Sequence, residues 1–180
     1  MLDYVSIFFI RFFINPFGSK KHTAYRNLIN DSSTIILSCP AEEKNKDFGI
    51  SIKKFSDLFK NKPVTILYPE QTVEGCKTEY NQTNNNFPKK IKYNPLHLLN
   101  SDNLKTLYNK ECDVFIDLDP HVNVLNILLC RQLDPAVRIS FNKPGSSPFY
   151  NVRYNINPQK SYAENRSNLY YFLKSMMNKK

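Results

Sequence analysis

The stretch Asp117-Leu118-Asp119-Pro120-His121 sets two carboxylates and an imidazole directly after the apolar run Val114-Phe115-Ile116. Such groups can do two kinds of chemistry. Asp117 and Asp119 can accept hydrogen bonds from sugar hydroxyls, or Asp119 can orient His121 as a general base. A strand end running into a helix cap carries the same residue types, because acidic side chains favour the positive end of a helix and proline suits its first turn. Cys39 closes another apolar run, Ile35-Ile36-Leu37-Ser38, and offers a thiol. No histidine stands at a partner spacing, so a buried structural thiol is the competing reading. Asn142 and Lys143 follow a third run, Arg138-Ile139-Ser140-Phe141, and lead into KPGSS (143–147), a turn or a phosphate contact.

Several classes of chemistry are excluded. The glycines stand at 18, 49, 75 and 145, which leaves neither GxGxxG nor GxxxxGKS. A dinucleotide on the usual glycine cradle is therefore not expected, and no cofactor is. The cysteines at 39, 76, 112 and 130 contain no CxxC pair, so neither a metal nor a disulfide framework is expected, and a reducing compartment is the default.

These groups need elements to hold them. Short β-branched or apolar runs predict strands at 33–40, 63–70, 89–95, 113–118, 136–141 and 149–156. Three- and four-residue apolar spacing predicts helices at 48–60, 101–110, 123–133 and 161–177, with a polar excursion at 71–88. Strands alternating with helices make βαβ crossovers. The expected fold is an α/β Rossmann-like three-layer sandwich with a mostly parallel sheet. Ligands of such folds bind beyond the carboxyl ends of the strands. Here those ends are Cys39–Pro40, Tyr68–Glu70, Asp117–His121 and Phe141–Lys143.

The 180 residues suffice for one such domain, expected over 31–180. Residues 1–30 read as an appended amphipathic helix and linker. Its apolar part, LDYVSIFFIRFFINPF (2–17), is too short and too interrupted by Arg11 to span a bilayer. It also lacks the basic start and small-residue cleavage site of a signal peptide. On a helical wheel Tyr4, Arg11 and Asn15 share a narrow polar face, and Lys20, Lys21 and Arg26 follow. The segment either lies on an anionic membrane surface, through residues 2–26, or packs against its own domain or a partner.

The net charge of +9 is uneven. Residues 1–30 carry four basic and one acidic side chain, residues 131–180 nine and two, and the middle hundred twelve and thirteen. The positive field belongs to the two ends and favours anionic partners, nucleic acid or acidic lipid. The near-neutral middle supplies most of the expected ligand face, which makes nucleic acid the less favoured partner.

CDVFIDLDPHVNVLNILLCRQLDPAVRISF (112–141) resembles the segment of family 9 glycosyltransferases, the heptosyltransferase group, in which a "DlvIDL" strand leads through a helix to an "R-I-G-F" strand. Ser140 stands where that family commonly has glycine. STIILSCP (33–40) matches its first strand, and 149–176 its last strand and helix. The resemblance implies a glycosyltransferase-like fold. It also points to Asp47, in the position of the acceptor-facing base, although Lys46 replaces the family's preceding glycine. Enzymes of this family have a second Rossmann-like domain that binds the nucleotide-sugar donor, and this chain stops where that domain would begin. The resemblance thus implies a standalone, degenerate domain that does not transfer sugar by itself. It would bind a glycan, a glycolipid or a protein partner in bacterial envelope glycan assembly, in the cytoplasm and peripherally at the inner membrane. The acceptor-side half of a split enzyme, with a second glycosyltransferase subunit, is the alternative, and a basic nucleic-acid binder is a third.

Overall fold

Ile35–Ser38 and Val114–Asp117 contain almost nothing but Ile, Leu, Val and Phe, and every residue of both is buried. Continuous burial without polar alternation is what a parallel sheet covered on both faces requires. The computed structural model describes residues 25–40, 46–69, 89–91, 112–146 and 148–178. In chain order these form α1 (Tyr25–Asp31), β1 (Ile35–Ser38), α2 (Lys46–Leu58), β2 (Val64–Pro69), β3 (Lys89–Ile91), β4 (Val114–Asp117), α3 (Val124–Leu133), β5 (Val137–Phe141), β6 (Val152–Tyr154) and α4 (Tyr162–Asn178). The strands make one six-stranded sheet in the order β3-β2-β1-β4-β5-β6, and every pairing is parallel. The α/β, Rossmann-like three-layer expectation is met, and the strand order is that of a doubly wound sheet. The predicted helix at 101–110, the excursion at 71–88 and the apolar segment at 2–17 lie outside the described residues.

Side chains alternate between the two faces of the sheet. Ile35, Leu37, Val64, Ile66, Val114, Ile116, Val137 and Ile139 point to one face, where Ile29 of α1, Ile52 and Phe55 of α2, and Leu169 and Leu173 of α4 cover them. Ile36, Leu67 and Phe115 point to the other, beneath Ile127, Leu129 and Cys130 of α3. Each such fully buried aliphatic or aromatic side chain stabilises the fold by about 1.5–3 kcal/mol relative to exposure.

The amino ends of the strands are tied by one carboxylate. Asp113 Oδ2 accepts the Ser33 amide (2.6 Å), the Ser33 hydroxyl (2.7 Å) and the Thr34 amide (3.0 Å), joining the entry to β1 with the entry to β4. Partial burial works against its charge, but the hydrogen bonds from Ser33 and Thr34 win and hold the carboxyl below its ordinary 3.8.

The boundary drawn at residue 30 from composition falls inside α1 (Tyr25–Asp31). Ile29 is fully buried in the core, α1 packs on α4 and β5, and Lys62 Nζ donates to the carbonyls of Ile29 (3.1 Å), Asn30 (2.5 Å) and Ser32 (2.7 Å). An ammonium satisfying the orphan carbonyls at a helix end holds that helix to the domain. α1 is thus held against α4 and β5.

α4 starts at a capping box. Ser161 N and Oγ both donate to Glu164 Oε2 (2.8 and 2.7 Å), and Glu164 N donates back to Ser161 Oγ (3.3 Å). Asn165, buried, ties the preceding loop through bonds to the carbonyls of Asn157, Lys160 and Ser161.

Candidate functional site

The strand order reverses between β1 and β4, and crevices at such switch points are where doubly wound sheets hold ligands. Both strands end there in polar residues. Ser38 and Asp117 are register partners, so their side chains leave the sheet on the same face, toward α3. α3 brings Asn126, buried in an otherwise apolar helix face. Ser38 Oγ donates to Asn126 Oδ1 (2.6 Å), and Asn126 Nδ2 donates to Asp117 Oδ1 (2.8 Å).

Asp117 is fully buried and accepts four hydrogen bonds, two at each oxygen. Oδ1 takes the Asp119 amide (2.9 Å) and Asn126 Nδ2; Oδ2 takes Lys143 Nζ (2.8 Å) and the Tyr150 hydroxyl (2.5 Å). The Lys143 ammonium is buried as deeply, with 1% of its side chain exposed, and also donates to the His121 carbonyl (2.9 Å). The backbone of Lys143 is itself held by Ser146, whose hydroxyl accepts from its amide (3.2 Å) and donates to its carbonyl (2.7 Å). A buried ion pair survives loss of water only when its remaining hydrogen-bond capacity is filled, and Asp117 meets that condition. Burial, then the charge of Asp117, pushes the Tyr150 phenol well above its ordinary value, so it remains a donor.

Asp119 serves the loop. Its Oδ1 accepts the His121 amide (2.8 Å), the i to i+2 bond of an Asx turn, and its Oδ2 accepts Asn123 Nδ2 (3.3 Å). Burial, followed by the charge of Asp117, raises this carboxyl above 3.8 against the opposing pull of Lys143. Asp119 thus meets His121 at its backbone amide, and the helix itself begins after Asn123, whose carbonyl accepts from Ile127 N (3.2 Å). His121 is exposed and Asn123 half-buried.

Of the residues singled out from sequence, the structure brings Asp117, Asp119, His121 and Lys143 into one hydrogen-bonded cluster. Asn142, exposed beside it, donates from Nδ2 to Asn155 Oδ1 (2.8 Å). Cys39 is buried among the core residues of the opposite face. Asp47 falls in the first turn of α2, and its side chain lies outside the described residues. Ser38, Asn126, Ser146 and Tyr150 belong to the cluster and were missed by sequence. Asn126 alone gave a signal, as an amide within the apolar run VLNILLC.

Of the seven basic side chains of 131–180 that lie among the described residues, three are buried: Arg138, Lys143 and Arg166. The surface of this end is correspondingly less positive than its composition. Among the described residues no group of three His, Cys, Asp or Glu side chains is placed to hold a metal, and no helix is long and apolar enough to cross a membrane.

No family model matches the chain, and no curated protein matches it in sequence. Its fold is similar to the crystal structure of a glycosyl transferase family 9 protein from Veillonella parvula DSM 2008, with a TM-score of 0.51 and 12% sequence identity, over 83% of this chain and 42% of that one. The chain thus spans less than half the length of its structural neighbour, and at this identity the likeness is one of fold. The protein has a glycosyltransferase-like, Rossmann-like α/β fold.

Proposed function

We propose that this chain is a glycosyltransferase-like domain that binds a glycan at the carboxyl end of its sheet, in bacterial envelope glycan assembly, without transferring sugar by itself. One observation carries the reading. At the switch point both carboxylates, Asp117 and Asp119, are engaged in hydrogen bonds within the chain, while His121, Asn123 and Asn142 remain at or near the surface around them. Imidazole and amide groups are suited to pairing with sugar hydroxyls as both donors and acceptors. The fold likeness to a family 9 glycosyltransferase supports the choice of a glycan over other polar ligands. On this reading the domain works at the cytoplasmic face of the inner membrane.

The test is saturation-transfer NMR of the full chain with a heptose-containing core oligosaccharide, beside the variant His121→Ala/Asn142→Ala. Transfer to the sugar protons of the wild type, lost in the variant, is expected. Absence of transfer at about 1 mM ligand, where binding is worth only about −4 kcal/mol, would sink the proposal. So would binding that the variant leaves intact.

A further inference from the structure

We infer that Lys143 is a positioning residue: by holding the His121 carbonyl from beneath, it fixes the 118–123 loop to the 142–149 loop and so sets the spacing of the groups that meet a ligand. The inference rests on the glycan-binding reading for its ligand, but its structural content stands on the geometry of the cluster.

Lys143 cannot meet a ligand directly, because its side chain is 1% exposed. Nor is a buried ammonium needed to fill space, which an apolar side chain of similar length does without the cost of removing a charge from water. Buried ion pairs are weak contributors to stability, and their best-attested use is to select one arrangement among several. Here the ammonium makes two contacts of different kinds. The bond to Asp117 Oδ2 (2.8 Å) cancels its charge against β4, and the bond to the His121 carbonyl (2.9 Å) reaches into the loop that carries the exposed imidazole. The other end of the same residue is rigid. Ser146 brackets its backbone, and the neighbouring Asn142 amide donates to the Tyr154 carbonyl (2.8 Å). A single side chain thus joins the segment bearing Asn142 to the segment bearing His121. The Asx turn at Asp119 shapes the 118–123 loop from within, and Lys143 anchors it to the next strand connection. Without that anchor the loop keeps its turn but loses its register against Asn142.

The variant Asp117→Asn/Lys143→Met separates this role from stability. It removes both charges together, so no buried charge is left unpaired, and an asparagine at 117 can still accept at one atom and donate to the Tyr150 oxygen at the other. The bond between positions 143 and 117 is lost together with the tether to the His121 carbonyl, and neither loss leaves a buried charge unpaired. Measured on the full chain by hydrogen exchange, the amides of 121–123 should exchange about tenfold faster, as expected for removing one charge-assisted hydrogen bond. Affinity for the core oligosaccharide should fall by a similar factor. Ile139→Val, a core control that touches neither loop, should leave both quantities unchanged. Unchanged exchange at 121–123 in the double variant would overturn the inference, and so would faster exchange with unaltered affinity. Should the double variant not fold, Ser146→Ala, which removes the two hydroxyl bonds to the backbone of Lys143 and leaves only the bond from the residue 146 amide, is read by the same two measurements against the same outcomes. A wild type that binds no oligosaccharide would overturn the glycan reading, while the exchange data would still decide for or against the tether.

Discussion

Replacing Tyr150 with phenylalanine removes one oxygen from the buried cluster and leaves the ring in place. That oxygen donates to Asp117 Oδ2 at 2.5 Å, and both residues are buried. Phenylalanine keeps the packing of the ring in its cluster with Phe149, Phe115 and Ile127. The expected loss is therefore that of one hydrogen bond to a charged acceptor, about 1.5–3 kcal/mol. For a chain of this length that corresponds to about 3–12 °C in melting temperature. The chain has no tryptophan, so urea unfolding followed by far-UV circular dichroism is the suitable assay. The pH dependence provides a second, independent check. Burial, then the charge of Asp117, raises the Tyr150 phenol well above its ordinary 10.0. A group whose folded value is raised contributes stability that is whole below the unfolded value and is lost as pH rises toward the folded one. The gap between wild type and Tyr150→Phe should accordingly be constant through neutral pH and shrink above about pH 10. A gap below about 0.5 kcal/mol at neutral pH would refute the claim that this hydroxyl is a necessary donor to a buried carboxylate.

Asp113→Asn weakens the tie between the entries to β1 and β4, at a cost of about 1 kcal/mol given its partial exposure. Because the folded carboxyl lies below 3.8, the difference from wild type should be full above that value and vanish as pH falls beneath it, as read by acid unfolding of the two proteins. Cys112 is buried, with its thiol pushed by burial, then by Asp113, up to about 12, and burial raises Cys130 well above 9.0. Neither should react with a thiol reagent at about pH 8 until the chain unfolds. Peptide mapping after native labelling decides this, and modification of Cys130 in the folded protein would contradict its burial between α3 and the sheet.

The fold was legible because its determinants are local. Ile35-Ile36-Leu37 and Val114-Phe115-Ile116 can only be strands covered on both sides, and proline or polar residues end them where the structure does. Phe55 and Phe59 fall on the helical period that buries them against the sheet, and Ser161 with Glu164 spells a capping box. What holds the last turn of α1 is not in its own sequence. Lys62, three decades of residues further on, supplies the donors for its last carbonyls.

The candidate site was legible in position but not in wiring, for the same reason on a larger scale. Asp117 was identifiable as a carboxylate at the carboxyl end of a buried strand, since the strand that carries it was identifiable. What that carboxylate does depends on donors brought by α3 and by the connection after β5: Asn126, nine residues on, Lys143, twenty-six on, and Tyr150, thirty-three on. No periodicity links those positions, and each alone has an ordinary reading as a helix amide, a surface ammonium and a core aromatic. Only the crossover that lays α3 over β1 and β4 makes them neighbours. A carboxylate at such a strand end is equally compatible with ligand binding and with internal closure until its donors are counted. Here four donors meet Asp117, so its own hydrogen-bonding capacity is closed within the chain, and on the glycan-binding proposal it is the imidazole and amides of the neighbouring loops that would face a ligand.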